Sequence, residues 1–417
     1  MLEALRNAWK IPDLRKRIKY TALMLLLFRI GTFIPVPRMD PSAVRSIIER
    51  GALLGFFDII AGGALSQFSV FAMSITPYIN ASIIVQLLTV VIPKWEELAK
   101  EGEAGRKVLA QYTRYGTVIL GLIQATGLSI GFRSAMKPGF LSQIVVILSL
   151  AAGTAFLMWL GEQITDKGIG NGISLLIFAG IVSRIPTSVY QMYALIRIGA
   201  LNIIMLAVLL VLGVLVVAAV VAVQEAERRV PVQYAKRVVG RRVYGGQSTH
   251  IPIKINSAGV IPVIFSTSIL MFPSTLAGFF PNNKFMTSVA EFLQPSGWLY
   301  AVLYGLLIVF FTYFYTAVTF NPVDVANNIK KYGGFIPGIR PGRPTADYIT
   351  RIVNRITLVG ALFLAVIALL PYFMTAVSGL NISFGGTALL IVVGVALETM
   401  KAIEAQMIMR HYQGFLK

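Results

Sequence analysis

The stretch IIAGGALSQFSVFAMSITPYINASIIVQLLTVVIP, residues 59–93, contains no charged side chain and decides the fold class. A helix needs about 20 mostly apolar residues to cross the hydrocarbon core of a bilayer, and this stretch is longer than one crossing requires. Two glycines and a run of small polar residues interrupt it between positions 62 and 69. We therefore predict a short segment, Leu53–Leu65, followed by a full helix, Val70–Ile92.

Two interpretations of the segment Leu53–Leu65 fit this pattern. A broken helix at membrane depth is tolerated only where it is buried in protein or lines a cavity. An amphipathic helix that lies on the outer membrane surface has a similar composition. The pattern alone favours neither.

The composition excludes a soluble domain and several kinds of chemistry. Hydrophobic residues make up 56% of the 417-residue chain and charged residues only 13%, whereas a soluble domain carries about 25% charged residues. With no Cys and two His, the chain has no disulfide, no thiolate metal site and little capacity for His-based acid–base chemistry. The net charge of +19 predicts contact with anionic membrane lipids and with a nucleic-acid-rich partner.

Apolar stretches predict ten membrane spans. The first, Tyr20–Val36, contains Arg29, to which the sequence assigns no role. The last is too long for one span, and Pro371 and the glycines that follow it divide it into two helices. The charge-free stretches beyond the first span are Ile59–Pro93, Tyr115–Phe132, Pro138–Gly161, Gly168–Ser183, Ile198–Gln224, Ile255–Asn283, Phe292–Val323 and Ile356–Leu397.

The charges of the loops orient these spans. Lys and Arg number 28 on the side that carries the N-terminus and 8 on the opposite side, and an excess of positive charge marks the cytoplasmic side. Both termini are therefore predicted to be cytoplasmic. Similar hydropathy in residues 1–197 and 198–417 predicts two halves of five spans each, with the second inverted relative to the first.

No motif for catalysis or nucleotide binding is visible. The glycines between positions 168 and 172 lack the following Lys with Ser or Thr that a phosphate loop requires. No pair of carboxylates lies in the charge-free stretches, which argues against an intramembrane enzyme. Any energy for transport must therefore come from a partner.

Five stretches resemble the SecY family of membrane proteins. Their length and order make the resemblance specific, and the ten spans, the loop lengths and the orientation agree with it over essentially the whole chain. The stretches are FAMSITPYINASIIVQLLTVVIP (71–93), WLGEQITDKGIGNGISLLIF (159–178), the basic loop with its AGVIP motif (234–262), the loop ending in GGFIPGIRPG (321–342) and FGGTALLIVV (384–393).

The resemblance implies an all-α polytopic membrane protein with an hourglass pore inside one monomer. A ring of apolar side chains closes the waist of the pore, a short plug half-helix (53–65) lies beneath it, and a lateral gate opens to lipid. Such a channel translocates unfolded secretory polypeptides across the bacterial cytoplasmic membrane and releases membrane segments sideways into lipid. It is not an enzyme, and it needs no cofactor.

Six isoleucines match the family's pore ring. Two pairs are each four residues apart, so each pair shares one face of a helix. The alternative for any of them is a contact with lipid or with a packed neighbour. A narrow apolar waist blocks ions by dewetting, yet it fits loosely around any passing chain. The six are Ile75, Ile79, Ile177, Ile181, Ile264 and Ile391.

Further positions match the plug and the lateral gate. Asn80 and Gln124 are polar groups at membrane depth. They either act across the gate or join packed helices through hydrogen bonds of about 1 kcal/mol each, and the sequence leaves both roles open. The plug positions are Leu53, Phe56, Phe57, Ile60, Gly62 and Gly63, and the gate positions are Asn80, Gln124, Ser268 and Phe272.

Two long basic loops, 225–255 and 321–355, are expected to meet partners. The excess of positive charge on cytoplasmic loops explains most such sequences. By resemblance, however, these two loops contact ribosomal RNA and the SecA ATPase motor, and Arg–phosphate contacts would make ribosome binding depend on salt. The resemblance also implies the small subunits SecE and SecG, and signal sequences and preproteins, as partners. The matching contact residues are Arg237, Arg241, Arg242, Arg340 and Arg343.

A secondary transporter of a small solute is the alternative function. Transporters usually place an ionisable or strongly polar cluster near the midplane of the membrane. The candidate pore positions here are all aliphatic, so the residues favour a protein-conducting channel.

Overall fold

The structure, a computed structural model, consists of helices together with one small sheet and one short hairpin. It describes residues 9–50, 62–197, 203–234, 237–239, 242–244, 248–279, 285, 288, 297–378 and 386–414. The predicted plug residues Leu53, Phe56, Phe57 and Ile60, as well as Arg241, lie outside these ranges.

Several helices of residues 1–197 begin at a proline or at a capping side chain, whereas α5 and α6 begin after Gly102 and Gly139. They are α1 (Pro12–Gly31), α2 (Pro41–Arg50), α3 (Thr76–Val91), α4 (Pro93–Lys100), α5 (Glu103–Gly131), α6 (Phe140–Lys167), α7 (Gly172–Val182) and α8 (Ile185–Arg197), with a 3-10 turn at Arg133–Ala135. Proline occupies the first turn of α1, α3 and α4, where its missing N–H removes no helical hydrogen bond. The Asn171 side chain accepts hydrogen bonds from the backbone of Ile173 (3.0 Å) and Ser174 (3.3 Å) and so caps α7.

The described part of residues 198–417 contains both helices and strands. Its helices are α9 (Ile203–Glu225), α10 (Ile261–Phe279), α11 (Trp298–Thr319), α12 (Pro322–Lys331), α13 (Arg343–Ser378) and α14 (Gly386–Gly414). Its strands are β1 (Glu227–Tyr234), β2 (Arg237–Val239), β3 (Arg242–Tyr244), β4 (Ser248–Lys254) and β5 (Gly334–Phe335). Asn321 caps α12 by accepting a hydrogen bond from the Val323 N–H (3.0 Å).

Some of the described helices are long and apolar enough to match the predicted membrane spans. Five of them are long and apolar enough to span a bilayer, and the pair α3–α4, bent by 102°, makes a sixth if it counts as one span. Helices α1, α5, α10 and α14 also occupy predicted spans, but they do not meet the same test of length and composition. The count of ten spans is therefore not confirmed.

The predicted helix Val70–Ile92 is wrong at its start, because α3 begins only at Thr76. Most of residues 62–75 form turns, with positive φ at Phe68 (42°) and Ser74 (53°). The Val36 N–H donates to the Phe68 carbonyl (2.9 Å), and the Val70 N–H donates to the Ile34 carbonyl (3.0 Å). These bonds to a neighbouring segment replace helical ones and hold the backbone in turns.

Two other predicted boundaries are also wrong. Helix α1 ends at Gly31, so residues 32–36 of the predicted first span are not helical. Helix α13 continues through Pro371 to Ser378, so this proline does not end it. Leu364 and Ala368, in the helical turns before Pro371, are buried in a hydrophobic cluster with other helices. Such packing holds the helix together although Pro371 has no N–H to donate a backbone hydrogen bond. The stretch Ile356–Leu397 nevertheless contains two helices, as predicted, because α14 begins at Gly386.

The basic loops contain strands that the sequence analysis did not predict. Strand β1 lies between β4 and β5 in an antiparallel sheet, and β2 pairs with β3 in a separate hairpin. We call β4–β1–β5 the loop sheet. Since β5 comes from the loop after α12, the loop sheet joins two loops that are distant in sequence. Val230 and Val232 are the buried residues of β1, and their spacing of two residues is the sequence pattern that indicates a strand.

Candidate pore, gate and loop surface

The six candidate ring isoleucines come together from four regions of the chain. Ile75 precedes the first residue of α3, and the Ile79 N–H donates to its carbonyl (3.1 Å), so the two side chains are one turn apart. The other four lie in α7, α10 and α14. Five of the six are 2–7% exposed members of one hydrophobic cluster, and Ile264 is partly buried against it.

We call this the pore cluster. Its buried members are Met24, Phe28, Ala64, Phe71, Ile75, Ile79, Ile83, Leu157, Leu160, Ile164, Leu175, Leu176, Ile177, Ile181, Val260, Phe265, Phe311, Ala388, Ile391 and Val395. All of these side chains are apolar, so their packing has no directional bonds. A closely packed apolar cluster of this kind would resist the entry of water and ions.

The end of the predicted plug rests directly on α7. Gly62 and Gly63 have positive φ values of 64° and 89°, which favour glycine. A Cβ atom on Gly62 would lie 2.8 Å from the Cα atom of Gly180, so the two backbones touch. This contact fixes the position of Gly62 against α7.

Arg29 contacts the same point, and the sequence had given it no role. Its Nη1 donates to the Gly62 carbonyl (2.9 Å) and to Thr32 Oγ1 (3.4 Å). The guanidinium also lies 4.7 Å from the centroid of the Phe33 ring. A charged side chain inside a predicted span was the available signal, since such charges usually have a functional partner.

Several side chains of the segment that follows Gly62 are buried. Leu65, Phe68, Ala72 and Met73 are buried in a second hydrophobic cluster with side chains from α2, α5 and α6. The Phe68 ring packs edge-on against Phe132, with centroids 5.3 Å apart. The chain is therefore anchored immediately after the predicted plug.

The candidate gate residues lie where helices from the two halves of the chain meet. Helix α10 packs against both α3 and α5, and we call this contact the gate seam. Asn80 (9% exposed), Gln124 (8%) and Ser268 are buried in these three helices. The Phe272 side chain lies outside the described side chains.

Burial without hydrogen bonding distinguishes two of these residues. Within the described parts of the chain, the side chains of Asn80 and Gln124 form no hydrogen bond. The structure therefore shows no interhelical hydrogen bond from either amide, and their role at the gate stays a prediction. Neither amide is among the enclosed polar atoms without a partner, which in the described residues are Asn256 Oδ1 and Tyr304 Oη, so both amides keep some access to solvent.

Two of the predicted contact arginines follow β5 of the loop sheet in the chain. Arg340 and Arg343 are exposed beside a turn in which Gly338 (φ 79°) and Gly342 (φ 104°) adopt left-handed conformations. Thr345 Oγ1 donates to the Arg340 carbonyl (2.9 Å) and fixes this turn. Arg237 and Arg242 lie at opposite ends of the hairpin strands β2 and β3, and their side chains are outside the described set.

Groups for metal or acid–base chemistry are missing from this arrangement. Among the described residues, no cluster of three or more His, Cys, Asp or Glu side chains is placed to hold a metal ion. The site therefore offers an apolar contact, buried amides and a basic surface.

Comparison with known proteins gives a consistent picture. The SecY family model matches residues 69–400. The chain is 51% identical to the protein translocase subunit SecY of Halalkalibacterium halodurans, with 100% of both chains covered. It is 48% identical to the protein of the same name from Thermotoga maritima, with 100% of this chain and 98% of the relative covered.

Solved structures share the fold at low sequence identity. The structure of a protein conducting channel matches with a TM-score of 0.68 and 20% identity, covering 94% of this chain and 93% of that one. Sec61 in the canine ribosome-channel complex from the endoplasmic reticulum matches with a TM-score of 0.64 and 19% identity, over 94% and 93% of the two chains.

Proposed function

The chain belongs to the SecY family, and on this basis we propose that its six ring isoleucines close a pore for unfolded polypeptides. The protein is a channel-forming subunit of a protein translocase and is not an enzyme. It is a multi-pass membrane protein of a bacterial type. The observation that carries the proposal is the burial of isoleucines from α7 and α14, and of Ile75 and Ile79, in one apolar cluster.

The proposed pore has the shape of an hourglass between two inverted halves, 1–197 and 198–417, with five spans each. The pore cluster forms its waist, and residues 53–65 form a plug beneath it. The contacts of Gly62 with Gly180 and Arg29 support a fixed base for this plug. An apolar waist seals against ions while it still fits side chains of any kind.

The proposed lateral gate is the gate seam between α10 and the pair α3 and α5. Asn80, Gln124 and Ser268 are buried there, and Phe272 belongs to the same helix as Ser268. Asn80 and Gln124 form no hydrogen bond within the described residues, so their amides are available to bind water or a passing segment when the seam opens. A sufficiently apolar segment could then leave the pore sideways into lipid.

The proposed partners meet the protein at its charged surfaces. Both termini and the loop sheet are placed in the cytoplasm of a bacterial cell, at its cytoplasmic membrane. The exposed Arg340 and Arg343 would contact the SecA motor or ribosomal RNA, together with Arg237, Arg241 and Arg242 of the other basic loop. SecE and SecG would bind in the membrane, and anionic lipids would complement the net charge of +19.

Cross-linking tests the pore against the alternative of a solute transporter. The chain has no Cys, so Ile79→Cys or Ile264→Cys introduces a single thiol. A secretory chain stalled during translocation should cross-link to either thiol. It should not cross-link to Ile119→Cys, which lies 59% exposed on α5 and serves as the control. Protection of positions 79 and 264 by small solutes, without cross-links to the stalled chain, would favour a transporter.

A further inference from the structure

Three tyrosines form a polar group inside residues 198–417, outside the pore cluster, the gate seam and the loop sheet. Tyr300 and Tyr304 lie one turn apart on α11, and Tyr372 lies near the end of α13. The centroids of their rings are 5.6–6.4 Å apart. Tyr300 is 1% exposed and Tyr304 is 0% exposed. Hydroxyl groups buried in this way need hydrogen-bond partners, because their transfer from water to apolar surroundings is otherwise unfavourable.

The hydroxyl group of Tyr304 differs from the other two. Tyr300 and Tyr372 interact with each other through their hydroxyl groups. Within the described part of the chain, Tyr304 Oη is enclosed and has no hydrogen-bond partner. The neighbouring side chains of its hydrophobic cluster, such as Val220 and Leu364, offer no polar atom. A partner for this hydroxyl group must therefore be a backbone group or a bound molecule.

Helix α13 offers a backbone group beside Tyr304. Pro371 lies inside this helix and has no N–H, so the carbonyl group of Ile367, four residues earlier, loses its helical donor. Ile367 is 6% exposed and belongs to the same hydrophobic cluster as Tyr304. The two helices are in contact at this level, since a Cβ atom on Gly305 would lie 3.3 Å from Leu369 Cδ1.

We propose that a buried water molecule bridges the Tyr304 hydroxyl group to the Ile367 carbonyl group at the proline of α13. The hydroxyl group makes no direct bond to this carbonyl group, and both lie in one apolar cluster. A buried water is held where at least two polar groups bind it, and it can donate to the carbonyl group while it pairs with the hydroxyl group. The ligand is water rather than an ion, because the cluster contains no charged side chain.

The bridge would repair α13 at the turn that its proline weakens. In a membrane-spanning helix, the backbone groups that a proline frees are bonded by neighbouring helices or by ordered water. Here the water would do both, because it would replace the missing helical bond and connect α13 to Tyr304 of α11. The two helices would thereby be fastened together by a polar contact inside an otherwise apolar interface.

A double-mutant cycle in the full-length chain tests the bridge. Tyr304→Phe removes the hydroxyl group, and Pro371→Ala restores the N–H that occupies the Ile367 carbonyl group. With Pro371 present, Tyr304→Phe should lower the midpoint temperature of unfolding in detergent by a few degrees, because the water loses a partner. In the Pro371→Ala chain, the same change removes a hydroxyl group that has no partner and should raise the midpoint. Tyr300→Phe is the matched control and should shift the midpoint equally in both backgrounds.

The change of sign between the two backgrounds is the decisive result. A rise after Tyr304→Phe in both backgrounds would overturn the proposal, since it would show that the hydroxyl group is dry. An equal fall, or no shift, in both would also overturn it, since the hydroxyl group would then not depend on the proline. If the Pro371→Ala chain does not fold, a structure of the unaltered chain that shows ordered water elsewhere decides the question. Density within hydrogen-bonding distance of both Tyr304 Oη and the Ile367 carbonyl oxygen would support the bridge, and its absence would refute it.

Discussion

The pore cluster and the loop sheet show two different ways to build a contact for a polypeptide partner. The pore cluster collects isoleucines from α7, α10 and α14 and from the turn of α3, and its packing contains no directional bond. The loop sheet has backbone pairing between β1, β4 and β5, fixed turns and exposed arginines. A contact of the first kind adapts to many side chains, whereas a contact of the second kind suits a partner of defined shape and charge. On the proposed function, selection of partners should therefore depend on the loops more than on the proposed waist.

The largest expected effect comes from reversing a charge in the turn that follows β5 of the loop sheet. Arg340→Glu should reduce SecA-driven export roughly tenfold or more, because charge-assisted hydrogen bonds contribute about 1.5–3 kcal/mol each. Export into vesicles with purified motor measures this. Lys330→Glu makes the same change of charge on exposed α12 and should have a much smaller effect. Normal export by the Arg340 variant would show that this turn does not contact the motor.

A polar side chain in the pore cluster should have the next largest effect. Ile391→Asn buries an amide without a partner, which costs about 1–3 kcal/mol and favours water in the waist. Ion conductance of planar bilayers should rise, and precursors with defective signal sequences should be exported more efficiently. Ile391→Val keeps the waist apolar and serves as the control. If both variants conduct ions equally little, the cluster does not form the seal.

Shortening a buried side chain of the loop sheet tests whether the loop sheet and the pore cluster act independently. Val232 is 0% exposed, and Val232→Ala should destabilise the loops by about 2 kcal/mol through the lost methyl groups and the remaining cavity. Faster proteolysis of the loops should result, without any rise in ion conductance. Val208→Ala, on the exposed face of α9, is the matched control. An ion leak in the Val232 variant would show that the two regions are coupled.

The smallest expected effect comes from a helix cap beside the loop sheet. Asn321→Ala removes the cap of α12 and should destabilise this helix by about 1 kcal/mol. Hydrogen exchange in α12 measures the change, and Asn321→Ser should restore most of the protection. Unchanged exchange in the alanine variant would mean that packing of Ile329 and Ala326 alone holds the helix.

Periodicity and charge predicted the parts of the molecule that depend on local sequence. Helices occur at the predicted apolar stretches, and the stretch Ile356–Leu397 contains two of them. The start of α3 was missed because bonds from Ile34 and Val36 hold residues 62–75 in turns, and such distant partners leave no local pattern. The strands of the loop sheet were not predicted because the arginine-rich loop was interpreted only through its charge.

By itself, the sequence determined a membrane protein of apolar helices with basic loops, and through its resemblance it pointed to one family. Only the tertiary structure decided that Arg29 bonds Gly62, that β5 joins two loops, and that Thr399 rests on Gly170. The physical reason is the range of the interactions. Hydrophobicity and charge act residue by residue and can be read along the chain, whereas these contacts join positions whose proximity depends on the packing of the whole fold.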